Sequence, residues 1–186
     1  MQMRPAIQLQ SIMKSMKDNV LPAIDPNNKL AVEQANLVLG MLNIMSQRMD
    51  LEYRYDRDEL ERIIGFAAFL QRQAKGGPDT MAAQQALASA ALRGADVLDR
   101  AKAEPSELVD TIKALRARAG AVVQAICAEG VPESKEALRE GVLANAKEQL
   151  LRERSWLIMQ GWEADPSEVP PIESLIGPPL NQLKET

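Results

Sequence analysis

Leu108, Ile112, Leu115, Ala119, Val122 and Ile126 recur at spacings of four, three, four, three and four. Residues so spaced share one face of an α-helix, and a strand, with its period of two, would scatter them over both faces. This heptad pattern belongs to a helix packed lengthwise on its neighbours. Ala31, Ala35, Val38, Leu42, Met45 and Met49 repeat it. A third stripe comes in a shifted phase, made of Leu60, Ile63, Ala67, Leu70 and Ala74. Aromatics are only 3% of the chain, and its dominant residues are good helix formers rather than strand formers. The expected fold class is therefore all-α. We expect an elongated antiparallel helical bundle of five or six helices with a proline-rich non-helical C-terminal tail. A chain of 186 residues can bury a core without a disulfide or metal.

Punctuation along the chain gives the expected elements. Leu9, Met13, Met16 and Val20 form a first helical face, and Pro22 should end or kink that helix near Val20. The turn cluster from Asp25 to Asn28 supplies a cap for the next helix. Between Lys29 and Ile64 there is no proline and one glycine, Gly40, so a single long helix over about 28–74 is favoured over two helices meeting near Asp50 to Asp58. "KGGPDT" is a turn, with Asp79 or Thr80 as the cap of the next helix. An alanine-rich helix then runs to about Lys102, Ser106 caps the next, and the last begins near Pro132 and reaches about Gly161. Residues 1–164 are expected to form the bundle domain and 165–186 an acidic, proline-rich tail. Its Ile172, Leu175, Ile176 and Leu180 imply packing on the bundle or on a partner rather than free solvation.

Absences exclude several chemistries. With no histidine, Ser-His-Asp and Cys-His nucleophilic sites, Glu-x-x-His di-iron sites and His-based zinc sites are impossible. The single cysteine, Cys127, lies in an apolar helical run and reads as a small buried side chain. "KGGPDT" lacks the spacing of a phosphate-binding loop. No catalytic, cofactor-binding or metal residue is assigned, no cofactor is expected, and the chain is not read as an enzyme. A net charge of −4 without a basic patch argues against a nucleic-acid partner. No apolar run approaches the ~20 residues of a membrane span, and no signal-peptide h-region is present, so a cytoplasmic location is expected.

"QRMDLEYRYDRDELER", residues 47–62, carries ten charged residues among sixteen. Glu52, Asp56 and Glu59 share a helical face and could in principle hold a hard cation. Interleaved arginines make acid-to-base i,i+4 pairs instead, the pattern of a solvated or subunit-facing helix. Tyr53, Arg54, Tyr55 and Arg57 are candidate interaction residues, since Tyr and Arg anchor interfaces. Ile172, Leu175 and Ile176 of the tail join them. Met13, Met41, Met45 and Met49 read as core filler or as the lining of an apolar ligand site. Trp156 and Trp162 are expected to anchor the tail.

"VLPAID" followed by "KLAVEQANLVLGMLNIMSQRMD" resembles a group of small, all-helical bacterial proteins of unknown function. Val20, Leu21, Pro22, Asp25, Gln34, Val38, Gly40, Leu42, Arg48 and Asp50 carry the resemblance, which covers the first third of the chain. Genes of that group tend to lie beside phosphotransferase-like kinases and acyl-CoA dehydrogenases. The resemblance implies an accessory role near acyl-CoA or steroid catabolism and supplies no catalytic residues.

The sequence supports two readings. In the first, a homodimeric helical protein acts through protein contacts, an accessory subunit of a metabolic enzyme being one form of that role. In the second, it binds an apolar or acyl ligand between helices.

Overall fold

A computed structural model describes residues 5–100 and 103–178. Pro179 and Leu180 of the expected tail, and Lys102 at the expected end of the alanine-rich helix, lie outside these residues. The described residues are all-helical, with no strand among them. In chain order the helices are α1 (Pro5–Ser15), α2 (Leu21–Ala23), α3 (Lys29–Arg48), α4 (Glu52–Gln73), α5 (Pro78–Asp99), α6 (Pro105–Glu129), α7 (Pro132–Leu157) and the single turn α8 (Ile172–Leu175). Short 3₁₀ turns cover Ile158–Gln160 and Pro166–Glu168.

The chain divides into two compact units. One holds the described residues of 1–52 and 152–172, the other those of 53–151 and 173–178. The second contains the main core. All six residues of the α6 stripe are buried, as are Leu60, Ile63, Ala67 and Leu70 on α4 and Ala74 just beyond it. Leu87, Ala90 and Val97 of α5, which packs on α6, join the cluster, as do Leu138 of α7 and Ala103. Close approach is literal at Gly141 of α7, where a Cβ would run into the Phe69 ring.

The α4–α5 turn is tied down by groups the sequence does not advertise. Asp79 and Thr80 do not cap α5. Gly77 holds the cap position, Pro78 opens the helix, and the Glu129 carboxylate at the end of α6 accepts the Thr80 N–H at 2.6 Å. Ser134, buried at the start of α7, donates to the Gln73 carbonyl at 2.6 Å and accepts the Lys75 N–H at 3.1 Å. These three backbone groups at helix ends, orphaned within their own helices, thus find partners on another helix. At α6 the cap position is Glu104, with no side-chain bond, rather than Ser106.

In the first unit Pro22 acts as its chemistry requires, but without ending the helix. Proline lacks an N–H and clashes with the carbonyl four residues back, so the chain widens into a π turn over Met16–Val20. The Leu21 N–H reaches the Met16 carbonyl, five residues back, and the helical path continues to Ala23. The extra residue shifts the apolar face by one position: Val20 is exposed, while Leu21 and Ile24 are half-buried. Asn28 caps α3 by accepting the Ala31 N–H at 3.1 Å.

The single helix favoured over 28–74 is in fact two. Met49, Asp50 and Leu51 form a turn between α3 and α4. The break coincides with the change of phase between the two apolar stripes. A straight helix could not keep both stripes on one face, so the backbone yields although no Gly or Pro marks the place.

Candidate functional site

The charged stretch is occupied by the chain's own tail. Arg54, Asp58 and Arg62 lie four residues apart on α4, hence in one row. Arg54 donates to the carbonyls of Glu173 (2.9 Å), Ile176 (3.1 Å) and Gly177. Arg62 donates to the Leu175 carbonyl at 3.2 Å. The Asp58 carboxylate accepts the Gly177 N–H at 2.8 Å and an Arg62 guanidinium N–H at 2.8 Å. Arg62 also pairs with Glu148 of α7 at 2.8 Å. The carbonyls so gripped lie within and just past the single turn α8. Ile176 is buried and Leu175 half-buried here; Ile172, in the other unit, is 1% exposed.

The other expected interaction residues also turn inward. Tyr53 packs on the main core. The Tyr55 hydroxyl accepts from Gln149 at 3.4 Å, and Arg57 donates to the Leu98 carbonyl at 3.1 Å. Tyr53, Arg54, Tyr55 and Arg57 are half-buried and each makes contacts within the chain. Glu59 is buried against Arg116, and among the described residues no group of three or more acidic or cysteine side chains could hold an ion.

In the first unit Arg48 closes the end of α7. It donates to the Ser155 (3.2 Å) and Trp156 (3.3 Å) carbonyls and lies over the Trp156 ring at 5.6 Å. A cation at a helix C-terminus is favourably placed. Ser155 in turn donates to the Pro170 carbonyl at 2.7 Å, which fixes the proline segment. Arg154 forms a two-pronged pair with Glu163 and holds that carboxyl below its ordinary range. Trp162, expected to anchor the tail, is 71% exposed. Cys127, expected in the core, is exposed as well.

The four methionines lie at or near the surface. Met41 and Met45 are 62% and 58% exposed, and Met13 and Met49 are half-buried. A groove of about 530 Å³ does exist elsewhere on α3, with Val32, Leu37 and Gly40 on one side and Met159, Gln160 and Trp162 on the other. None of the four methionines takes part in it.

The feature that sequence reasoning missed is the outward face of α3. Leu30, Leu37, Val38, Met41 and Met45 are all exposed. At 3.6 residues per turn they fall within an arc of about 100°. Ala35 and Ile44 are the buried residues of this helix. Its signal was present, since α3 carries more apolar residues than one buried face needs. Comparison with protein-family models, with curated proteins and with solved structures finds no match to this chain.

Proposed function

We propose that this is a non-enzymatic helical protein that acts through protein contacts, first with a second copy of itself. The observation that carries this reading is the apolar stripe on α3. Isolated exposed aliphatics are ordinary, but five large apolar side chains exposed within one arc of a helix form the kind of surface that is often functional. A stripe with no charged residue in it is self-complementary, so two copies related by a two-fold axis can cover it. The surface of association is thus α3 rather than the 47–62 stretch. The short connection between α5 and α6 supports antiparallel packing of that pair within a bundle. A cytoplasmic location and an accessory role beside a metabolic enzyme complete this reading. The test is sedimentation of the wild type and of Val38→Asp/Met41→Asp. A concentration-dependent dimer that the double variant converts to a helical monomer is expected; a wild type that stays monomeric sinks the reading.

The groove beside Trp162 favours a second reading, an apolar or acyl ligand. Its volume suits a small molecule, and Val32, Leu37 and Met159 offer apolar walls. Native mass spectrometry of gently purified protein would then show added mass that Trp162→Ala removes.

A further inference from the structure

We propose that the Arg54–Asp58–Arg62 row of α4 is a peptide-binding site for the C-terminal turn of a short helix, filled in cis by the chain's own residues 173–177. The same five residues of a second copy are its ligand in trans. This site is distinct from the α3 stripe, and neither requires the other.

Three observations lead there. First, the row contacts main-chain atoms: four carbonyls and one N–H of residues 173–177. Contacts of this kind recognise the shape of a terminating helical turn. Sequence preference comes from the buried Ile176. Second, the grip is partly open to water. The Asp58 bond to Gly177 and the Arg54 bonds to Ile176 and Gly177 are part-buried, but the Arg62 side chain is 38% exposed and the Arg62 bond to Leu175 and the Arg54 bond to Glu173 are exposed. Water competes for such bonds, so each contributes modestly and the turn lifts at a lower cost than global unfolding. Third, Pro170 and Pro171 precede the turn and Pro178 comes directly after it. Their fixed φ angles reduce the freedom the segment loses when it docks again. A segment held this way leaves the row periodically vacant and preformed, because Asp58 still orients Arg62 and Glu148 still pairs with it.

Two measurements on the full-length chain test this. Hydrogen exchange compares the Gly177 amide with those of Leu115 and Val122 in the wild type and in Arg54→Gln. Exchange at Gly177 is expected to accelerate about tenfold while the α6 amides stay unchanged. Equal acceleration everywhere, or none at Gly177, overturns the proposal. Fluorescence anisotropy then tracks a labelled peptide of residues 171–178 added to Ile176→Ser, which weakens the cis turn and leaves the row intact. Saturable binding, tighter than to the wild type and weakened at least about tenfold by adding Arg54→Gln, is expected. Absence of saturable binding to Ile176→Ser, or binding indifferent to Arg54, overturns it. Neither result depends on whether the chain dimerises through α3.

Discussion

Helices α3 and α6 differ in what lies around their apolar residues. On α6 six residues in heptad spacing are each 4% exposed or less, covered by its neighbours in the main core. On α3 a run with the same spacing has one buried member, Ala35, while Val38 and Met45 stand in solvent. The neighbours explain the contrast. The α6 row meets α5 and α4, each with its own matching row, and all three bury together. The α3 row has short or loosely held partners, since α1 buries only Leu9. A heptad row therefore states that a helix wants a neighbour along its length, and says nothing about whether that neighbour is in the same chain.

Substitution can break this contrast or sharpen it. The largest effect is expected from Leu115→Ala, which empties a fully enclosed site and should cost about 2–5 kcal/mol in denaturant unfolding. Met41→Ala on the α3 stripe should change unfolding by no more than about 0.5 kcal/mol, yet weaken self-association in sedimentation. A Met41→Ala variant as unstable as Leu115→Ala would show that the stripe is covered within the chain after all. Ser134→Ala comes next. It strands the Gln73 carbonyl and the Lys75 N–H, and a loss of about 1–3 kcal/mol is expected by the same unfolding measurement.

The smallest effect concerns pH in the first unit. The Arg154 hydrogen bond holds the Glu163 carboxyl below its ordinary value. A carboxyl whose folded pKa is depressed adds stability above its unfolded pKa and loses it as pH falls through the lower, folded value. The Glu163 resonance should therefore titrate below the usual glutamate range, and Arg154→Gln should return it there. No shift between the two proteins would remove the pair as a stabilising contact.

Much of the second unit was legible because its rows agree with one another. The stripes on α4 and α6 named the buried residues, and the glycines and prolines of "KGGPDT" and "EGVPES" marked the turns. What escaped was every choice of distant partner. Nothing local shows that Glu129 will cap α5 from 49 residues away, or that Arg54 will reach past 119 residues to the tail. The mixed charges of 47–62 fit a solvated helix as well as a clamp, since the i,i+4 spacing that pairs acid with base also aligns them toward a third segment. The break at Met49–Leu51 was written in the change of phase, not in any helix breaker. The tail was more legible: aliphatics among prolines signalled contact, and Val169, Ile172 and Ile176 are buried.

The π turn at Met16–Val20 bears on how this chain can change length. Removing one residue from most helices swings everything beyond it by about 100° and scrambles the faces. Here the helix already carries a spare residue. A deletion within Lys17–Val20 would bring Leu21 into ordinary α-helical phase with Leu9, Met13 and Met16, on the side it already occupies. The α1–α2 segment is thus a place where one residue can be lost with the apolar face kept in phase, the cost being that Pro22 again meets the carbonyl four residues back and kinks the helix there.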